Sequence, residues 1–215
     1  MDQNFIIEKT KEFVKEKLYN EGSGHDWFHI ERVYNLSKFL ADKEGADSFI
    51  VELSSLLHDI EDWKFSNTNE TSTSLIEEFL KGLDVSQDYI KKITNIIKTM
   101  SYKGGVVDST QNTIEGKVVQ DADRLDAMGA IGIARTFTYG GYKNRPLYNP
   151  LVNPMKFSSL DEVKNKENHT INHFYEKLLK LKDLMNTDSA KEIANKRHEF
   201  MESFLDEFYS EWNFK

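Results

Sequence analysis

The chain has 215 residues, of which 39% are hydrophobic and 30% are charged, and its net charge is −8. It contains no cysteine, which excludes disulfide frameworks, thiolate nucleophiles and iron–sulfur clusters. The acidic balance argues against binding to nucleic acid polymers, and no apolar run approaches the length of a membrane helix. Because the N-terminus also lacks the features of a secretory signal, we expect a cytoplasmic protein with no membrane partner.

Apolar residues recur at helical spacing through most of the sequence, and no convincing run of alternating apolar residues occurs. The sequence therefore predicts an all-α protein. In chain order, the predicted helices cover residues 5–18, 27–40, 47–62, 74–83, 86–101, 115–137, 174–185 and 193–208.

All three prolines lie between the sixth and seventh predicted helices, at Pro146, Pro150 and Pro154. Around them, residues 144–166 show no helical period. Irregular segments of this length inside compact domains are usually lids or disordered segments. We therefore predict an irregular, lid-like loop near residues 139–168. No repeat or clear linker divides the chain, so a single domain is favoured, although the C-terminal helices could instead form an oligomer contact.

Three predicted helices carry an imidazole or a carboxylate on their apolar side. His29 starts the apolar stripe of its helix, and His58 and Asp59 close the apolar run FIVELSSLL. Asp123 and Asp126 share one stripe of the sixth predicted helix. Buried charges are costly unless they are paired or bound to a cation, so this convergence indicates a divalent metal site. On helical phase alone, backbone groups or nearby arginines could instead satisfy these residues separately.

The residues around these positions resemble the HD-domain phosphohydrolases, in which a histidine, an adjacent His-Asp pair and a later aspartate follow one another. Four stretches carry the resemblance: HDWFHIERV at 25–33, LLHDIEDWKF at 56–65, SYKGG at 101–105 and QDADRLDAMGAIGIARTF at 120–137. They are similar to one bacterial subfamily of metal-dependent hydrolases, some of which are nucleotide pyrophosphohydrolases. The resemblance implies one HD-domain helical bundle over residues 1–215. Its motif core would span about 22–148, with C-terminal helices at about 166–215 packed on it.

The resemblance implies one divalent metal ion with ligands at His29, His58, Asp59 and Asp123. Such donors suit Mn²⁺, Fe²⁺, Co²⁺, Ni²⁺ or Zn²⁺ better than Ca²⁺; Mn²⁺ is favoured, and Mg²⁺ is a further candidate. Asp126 is the rival of Asp123 for the fourth place, but we interpret it as a hydrogen-bond acceptor beside the ligands, paired with Arg124 or Arg135. Asp121 is expected to cap a helix or to face solvent.

Hydrolysis also needs a group that activates water and cations that hold phosphate. Asp62, one turn after His58, is the first candidate for the base, and Glu61 is the weaker one; acids at such a helix end are also common loop residues. The candidates for substrate binding are Arg32, Lys64, Lys103 and His25. Each of the three cations could instead be a solvated surface charge, and His25 could be a helix N-cap.

The favoured function is hydrolysis of a nucleoside or deoxynucleoside triphosphate to the monophosphate and pyrophosphate by a metal-activated water. A 5′-nucleotidase, or another phosphomonoesterase or phosphodiesterase, is the alternative enzyme. Without turnover, the alternatives are a nucleotide-sensing module and a helical protein that the metal only stabilises. The expected partner is a small-molecule nucleotide, and a monomer or homodimer is expected. No histidine occurs in residues 60–122, which disfavours a two-metal enzyme.

Overall fold

The computed structural model of the protein describes residues 2–19, 26–61, 72–165 and 169–215. Within these ranges the regular elements are helical and no strand occurs, which confirms the all-α prediction. The α-helices in these ranges are α1 (Gln3–Leu18), α2 (Trp27–Glu44), α3 (Ser48–Leu57), α4 (Ser74–Gly82), α5 (Gln87–Thr99), α6 (Ile114–Asp126), α7 (Gly129–Tyr142), α8 (Leu160–Asn165), α9 (Asn172–Glu176) and α10 (Asp188–Trp212). None of them combines the length and the apolarity that crossing a membrane requires.

Helix α3 lies at the centre of the bundle. All of its residues from Phe49 to Leu57 are buried, and it packs against α1, α2, α5 and α6. A helix that is shielded on every side must sit inside the core rather than on its surface. The side chain of Asp47 starts the helix by accepting from the backbone N–H groups of Phe49 and Ile50. The chain leaves this helix in the interior, so the two residues that follow, His58 and Asp59, are also buried.

The sixth predicted helix is two helices in the structure, so the prediction of one helix over 115–137 is wrong. Helix α6 ends at Asp126 and α7 begins at Gly129, which has a φ of +68°. Only glycine adopts this left-handed conformation without strain, and a Cβ at this position would lie 3.1 Å from Cγ of Arg197. The apolar phase hides the break, because Ile133 is buried seven residues after the buried Asp126.

The prediction of a continuous helix over 174–185 is also wrong. Helix α9 ends at Glu176, and Lys177 has φ −136° and ψ −61°, which interrupts the helical path. A 3-10 helix follows over Leu178–Leu184. The predicted apolar residues Phe174, Leu178 and Leu181 are all buried, so the pattern located the core side correctly. Helix α10 then packs against α2, α6 and α7.

The irregular segment between α7 and α8 covers residues 143–159, which is shorter than the predicted loop near 139–168 because residues 139–142 and 160–165 are helical. Residues 166–168 lie outside the described ranges. The segment is attached to the bundle by Tyr148, whose ring packs edge-on against Phe208, at 5.7 Å, and Trp212, at 4.9 Å between ring centroids. The third predicted helix ends at Leu57 rather than near residue 62, and a turn follows it through Glu61.

Candidate metal centre

Helix α2 directs His29 into the bundle from its first turn. The carboxylate of Asp26 is the N-cap and accepts from the backbone N–H of His29 at 2.9 Å. The imidazole of His29 is 1% exposed. The aspartate of the first His-Asp dipeptide is therefore a helix cap. His25, a predicted substrate-binding residue, lies outside the described residues.

The second His-Asp dipeptide follows the buried helix α3. His58 donates from Nδ1 to the backbone carbonyl of Ser55 at 2.8 Å, so its Nε2 is turned toward the interior of the site. Asp59 is buried, and its Oδ1 lies 3.5 Å from Nε2 of His58. Its Oδ2 lies 3.3 Å from Nε2 of His29.

Helix α6 contributes the carboxylate that solvent can reach. The side chain of Asp123 is 34% exposed, and its Oδ1 lies 3.6 Å from Nε2 of His29 and 3.9 Å from Nε2 of His58. Burial raises the pKa of Asp123, but the neighbouring imidazoles of His58 and His29 lower the pKa by more than burial raises it, so the net shift is downward. Asp123 is therefore held as a carboxylate beside the two histidines.

The two imidazoles meet with the same type of nitrogen facing inward. Nε2 of His29 and Nε2 of His58 lie 3.3 Å apart. Each ring donates from Nδ1, to Asp126 and to the Ser55 carbonyl respectively, so in the neutral rings both inward nitrogens carry lone pairs. Two lone pairs at this distance repel each other unless a proton or a metal cation lies between them.

The donor set fits a divalent cation. Bonds of about 2.1 Å from one ion to tetrahedrally arranged nitrogen and oxygen donors place those donors about 3.4 Å apart. The separations between the two Nε2 atoms and the oxygens of Asp59 and Asp123 are 3.3–3.9 Å. Among the described residues, His29, His58 and Asp59 form a group that could hold a metal ion.

Asp126 lies directly behind His29. Its Oδ2 accepts from Nδ1 of His29 at 2.7 Å, and the guanidinium groups of Arg32 and Arg135 also donate to it. Burial raises the pKa of Asp126, but these hydrogen bonds lower it well below its usual range. For His29, burial and the charge of Arg135 lower the pKa, whereas Asp126 and Asp59 raise it, and the net shift is upward. The predicted pairing of Asp126 with Arg135 is confirmed, whereas Arg124 donates to the backbone carbonyl of Leu184.

The sequence of this chain matches a known protein family. The family model of the HD domain matches residues 27–128, which include all four predicted metal ligands. YpgQ of Bacillus subtilis is 41% identical over 199 residues, a region that covers 92% of this chain and 89% of YpgQ. The chain belongs to the HD-domain superfamily of metal-dependent phosphohydrolases.

Three solved structures resemble the whole chain of this HD-domain protein. A protein from Lactobacillus plantarum is 37% identical with a TM-score of 0.90, and each chain is covered completely. An HD-superfamily hydrolase from Bacillus thuringiensis is 44% identical with a TM-score of 0.75, covering 99% of this chain and 100% of the other. The crystal structure of YpgQ in complex with ADP is 38% identical with a TM-score of 0.75, covering 95% and 97%.

Within the HD domain, Asp121 faces away from the metal centre. It is completely buried, and its carboxylate accepts from the backbone N–H groups of Asn186, at 2.9 Å, and Thr187, at 2.8 Å. The hydroxyl of Thr187, which is the N-cap of α10, also donates to it at 2.8 Å. Asp121 therefore holds the two residues that precede α10, while the helix cap itself is Thr187, and the alternative that Asp121 faces solvent is wrong.

Glu61, the weaker candidate for the base, binds the start of α4. Its carboxylate accepts from the backbone N–H groups of Leu75, at 3.0 Å, and Ile76, at 3.3 Å. These N–H groups belong to the first turn of the helix and have no partner within it, so Glu61 acts as a capping residue. Asp62 and Lys64, the preferred base and one predicted phosphate contact, lie outside the described residues.

Lys103 lies in the 3-10 turn Lys103–Gly105 and is half-buried. The turn is packed against α8, because a Cβ on Gly104 would lie 2.5 Å from Cγ2 of Val163. The glycine that sequence analysis linked to phosphate thus allows a close approach of the chain to α8.

Lys177 was missed by sequence reasoning. It lies beyond the HD-domain match, at the break between α9 and the following 3-10 helix, and its Nζ is 6.0 Å from the centroid of the Tyr102 ring. Its positive charge contributes to the lowered pKa of Asp123. No motif marks this lysine, and the break in the helix at this residue leaves the apolar pattern unchanged.

Proposed function

We propose that this protein hydrolyses nucleoside or deoxynucleoside triphosphates to the monophosphate and pyrophosphate. The observation that carries the proposal is the convergence of His29, His58, Asp59 and Asp123 on one centre. Two Nε2 atoms lie 3.3 Å apart there, beside carboxylates from α6 and from the end of α3. We assign these four residues as the ligands of one divalent cation.

The nucleotide substrate is supported by a relative. YpgQ was crystallised in complex with ADP, and its structure matches this chain over 95% of its length. A diphosphate-bearing nucleotide and the proposed triphosphate substrate share the base, the sugar and the α- and β-phosphates. We therefore extend nucleotide binding to this protein as part of the proposal.

The roles of the protein side chains follow from their positions. A bound divalent cation polarises phosphoryl oxygens and lowers the pKa of a coordinated water. In their neutral forms, His29 and His58 present the lone pair of Nε2, because the single ring proton is on the Nδ1 that contacts Asp126 or the Ser55 carbonyl. Asp123 is the ligand open to solvent, so substrate would approach from its side. We propose Asp62 as the group that accepts a proton from water, since the carboxylate of Glu61 is engaged by α4.

Cations must offset the repulsion between a chain of charge −8 and a triphosphate. Lys177 is the described lysine whose charge acts on Asp123, and we propose that it contacts the phosphates. Lys103, Lys64 and His25 stay candidates for the same task. Arg32 instead directs Nε and Nη2 to Asp126 in the structure.

The finer expectations belong to this proposal as well. They are Mn²⁺ as the metal, a single ion, a cytoplasmic location and a monomer or homodimer. They also include the absence of nucleic acid polymers and membranes as partners, and one domain over residues 1–215.

Product analysis tests the proposal. The protein is incubated with Mn²⁺ and a panel of ribonucleoside and deoxynucleoside triphosphates and monophosphates, and phosphate and pyrophosphate are measured separately. We expect the monophosphate and pyrophosphate in equal amounts, and no product with excess chelator. Release of phosphate alone would favour the 5′-nucleotidase or another phosphoesterase. Tight nucleotide binding without product over hours would instead identify a nucleotide-sensing module.

A further inference from the structure

An ion-pair cluster lies behind His29 and joins three helices. Asp126 of α6 is buried at its centre and receives four N–H groups. Arg32 of α2 donates from Nε to Oδ1 at 2.7 Å and from Nη2 to Oδ2 at 3.0 Å. Arg135 of α7 donates from Nη1 to Oδ2 at 3.0 Å, and His29 donates to the same oxygen at 2.7 Å. Both oxygens of Asp126 are therefore fixed in position.

The two guanidinium groups determine what Asp126 can do. A buried carboxylate is costly unless charge-assisted hydrogen bonds compensate it, and Arg32 and Arg135 supply three of them. Asp126 is thus held as an anion and can only accept hydrogen bonds. The proton in its contact with His29 must then reside on Nδ1 of the imidazole.

This constraint decides which ring nitrogen of His29 presents a lone pair to a cation. A neutral imidazole carries one proton, and the hydrogen bond made by one nitrogen sets the state of the other. With the proton on Nδ1, the lone pair of Nε2 faces His58 and Asp59 at 3.3 Å. A proton on Nε2 would instead block the position that the proposed metal site requires.

His58 provides an internal comparison. Its Nδ1 donates to the backbone carbonyl of Ser55, an acceptor that no side-chain substitution removes. The tautomer of His58 therefore depends on the end of α3, whereas that of His29 depends on a side chain that two arginines hold.

We propose that Asp126, clamped by Arg32 and Arg135, is a positioning residue that fixes the Nδ1–H tautomer and the orientation of His29 for metal binding. The proposal deepens the metal site of the proposed function. It also gives Arg32, first considered as a phosphate contact, a role through Asp126.

The test is the substitution Asp126→Asn, studied without nucleotide. Asparagine has a similar shape, but its NH₂ group must face one of the four N–H donors, so the cluster cannot form completely. Partners that orient a metal-binding histidine typically contribute 10–100-fold to metal affinity. We expect Mn²⁺ affinity, measured by calorimetry at pH 8, to fall by roughly this factor. In nitrogen NMR spectra of the metal-free protein, the Nδ1–H tautomer of His29 should become less populated, because an amide oxygen is a weaker acceptor than a carboxylate, while His58 keeps its tautomer.

Asp121→Asn is the matched control, because Asp121 is a buried aspartate of the same helix whose partners lie at the start of α10. It should lower the melting temperature and leave the Mn²⁺ affinity and both histidine signals unchanged. Arg32→Lys is the second variant, since lysine keeps the charge but cannot form the two-pronged contact. Arg32→Lys should weaken Mn²⁺ binding by a smaller factor and shift the same His29 signal. If Asp126→Asn fails to fold, the proposal is tested with Arg32→Lys alone.

Wild-type Mn²⁺ affinity and an unchanged His29 tautomer in a folded Asp126→Asn protein would overturn the proposal. The same result in Arg32→Lys would overturn it if only that variant folds. These measurements need no turnover, so they are independent of which nucleotide is hydrolysed. If the wild-type protein did not bind Mn²⁺ at all, by contrast, the proposed function itself would be refuted.

Discussion

The two sides of helix α6 use buried carboxylates for different purposes. On one side, Asp123 and Asp126 face two imidazoles, and Asp123 keeps a third of its side chain open to solvent. On the other side, Asp121 is completely buried and accepts backbone N–H groups at the start of α10. One helix therefore carries both a candidate reaction centre and the attachment of the C-terminal helix.

The difference lies in what compensates each charge. Asp121 is satisfied by neutral donors, namely two main-chain N–H groups, the side-chain amide of Asn186 and the hydroxyl of Thr187, so it needs nothing from outside the protein. The inward nitrogens of His29 and His58, 3.3 Å apart, lie beside the carboxylates of Asp59 and Asp123, an arrangement that a divalent cation would stabilise. Buried polar groups thus indicate a binding site when a bound ion of opposite charge would stabilise their arrangement.

The largest effect should come from substituting the proposed metal ligands. We expect His58→Ala or Asp59→Ala to reduce nucleotide hydrolysis to background, because each removes a proposed metal ligand, while the helical circular dichroism is retained. Pyrophosphate release with Mn²⁺ measures the effect, and His198→Gln is the control, since His198 lies on α10 next to Glu202. Hydrolysis at the wild-type rate by a variant without bound metal would refute the mechanism.

On the opposite side of α6, Asp121→Ala should affect stability rather than metal binding. The change leaves the N–H groups of Asn186 and Thr187 without their acceptor, and hydrogen bonds to a charged group contribute about 1.5–3 kcal/mol. We expect the free energy of unfolding in urea to fall by about this amount. A comparable loss of Mn²⁺ affinity would show that the two sides of the helix are not separate.

Substitution of Lys177 tests whether the C-terminal segment contributes to the candidate metal site. Lys177→Gln should raise KM for the triphosphate roughly tenfold, since a charge-assisted contact of about 1.5 kcal/mol would be lost, with a smaller effect on kcat. Lys180→Gln is the control, because Lys180 is exposed on the 3-10 helix that follows Lys177. Equal KM values for both variants would show that Lys177 does not contact the phosphates.

Glu61 should give the smallest effect. Glu61→Gln keeps an acceptor oxygen but removes the negative charge at the start of α4, so we expect a loss of about 0.5–1 kcal/mol in the free energy of unfolding. Glu78→Gln, on the exposed side of α4, is the control. A large fall in kcat without a change in stability would instead make Glu61 the base.

Helical periodicity predicted which residues face the centre. The stripes through His29 and Asp123 and the end of the apolar run at His58 came from spacing alone, and the structure brings these residues within 3.9 Å of one another. This worked because α2, α3 and α6 are regular helices whose buried sides leave a clear pattern. The role of these residues as ligands stays a prediction.

The breaks in the helices could not be predicted in the same way. Gly129 and Lys177 interrupt helices without disturbing the apolar phase, so the sequence on either side still fits one helix. Asp121 was placed on the correct side of α6, but its burial depends on α10, which follows much later in the chain. Contacts between distant segments leave no trace in local spacing.

The 3-10 turn at Lys103–Gly105 is held in place from outside the HD domain. Val163 of α8 fills the space beside Gly104, and Lys177 lies over Tyr102 on the same turn. Two of the candidate phosphate lysines, Lys103 and Lys177, are thus in contact with or part of the last third of the chain. If these lysines contact the phosphates as proposed, substitutions in that third change substrate binding while the histidines and aspartates of the candidate site keep their positions, so binding and chemistry can evolve separately.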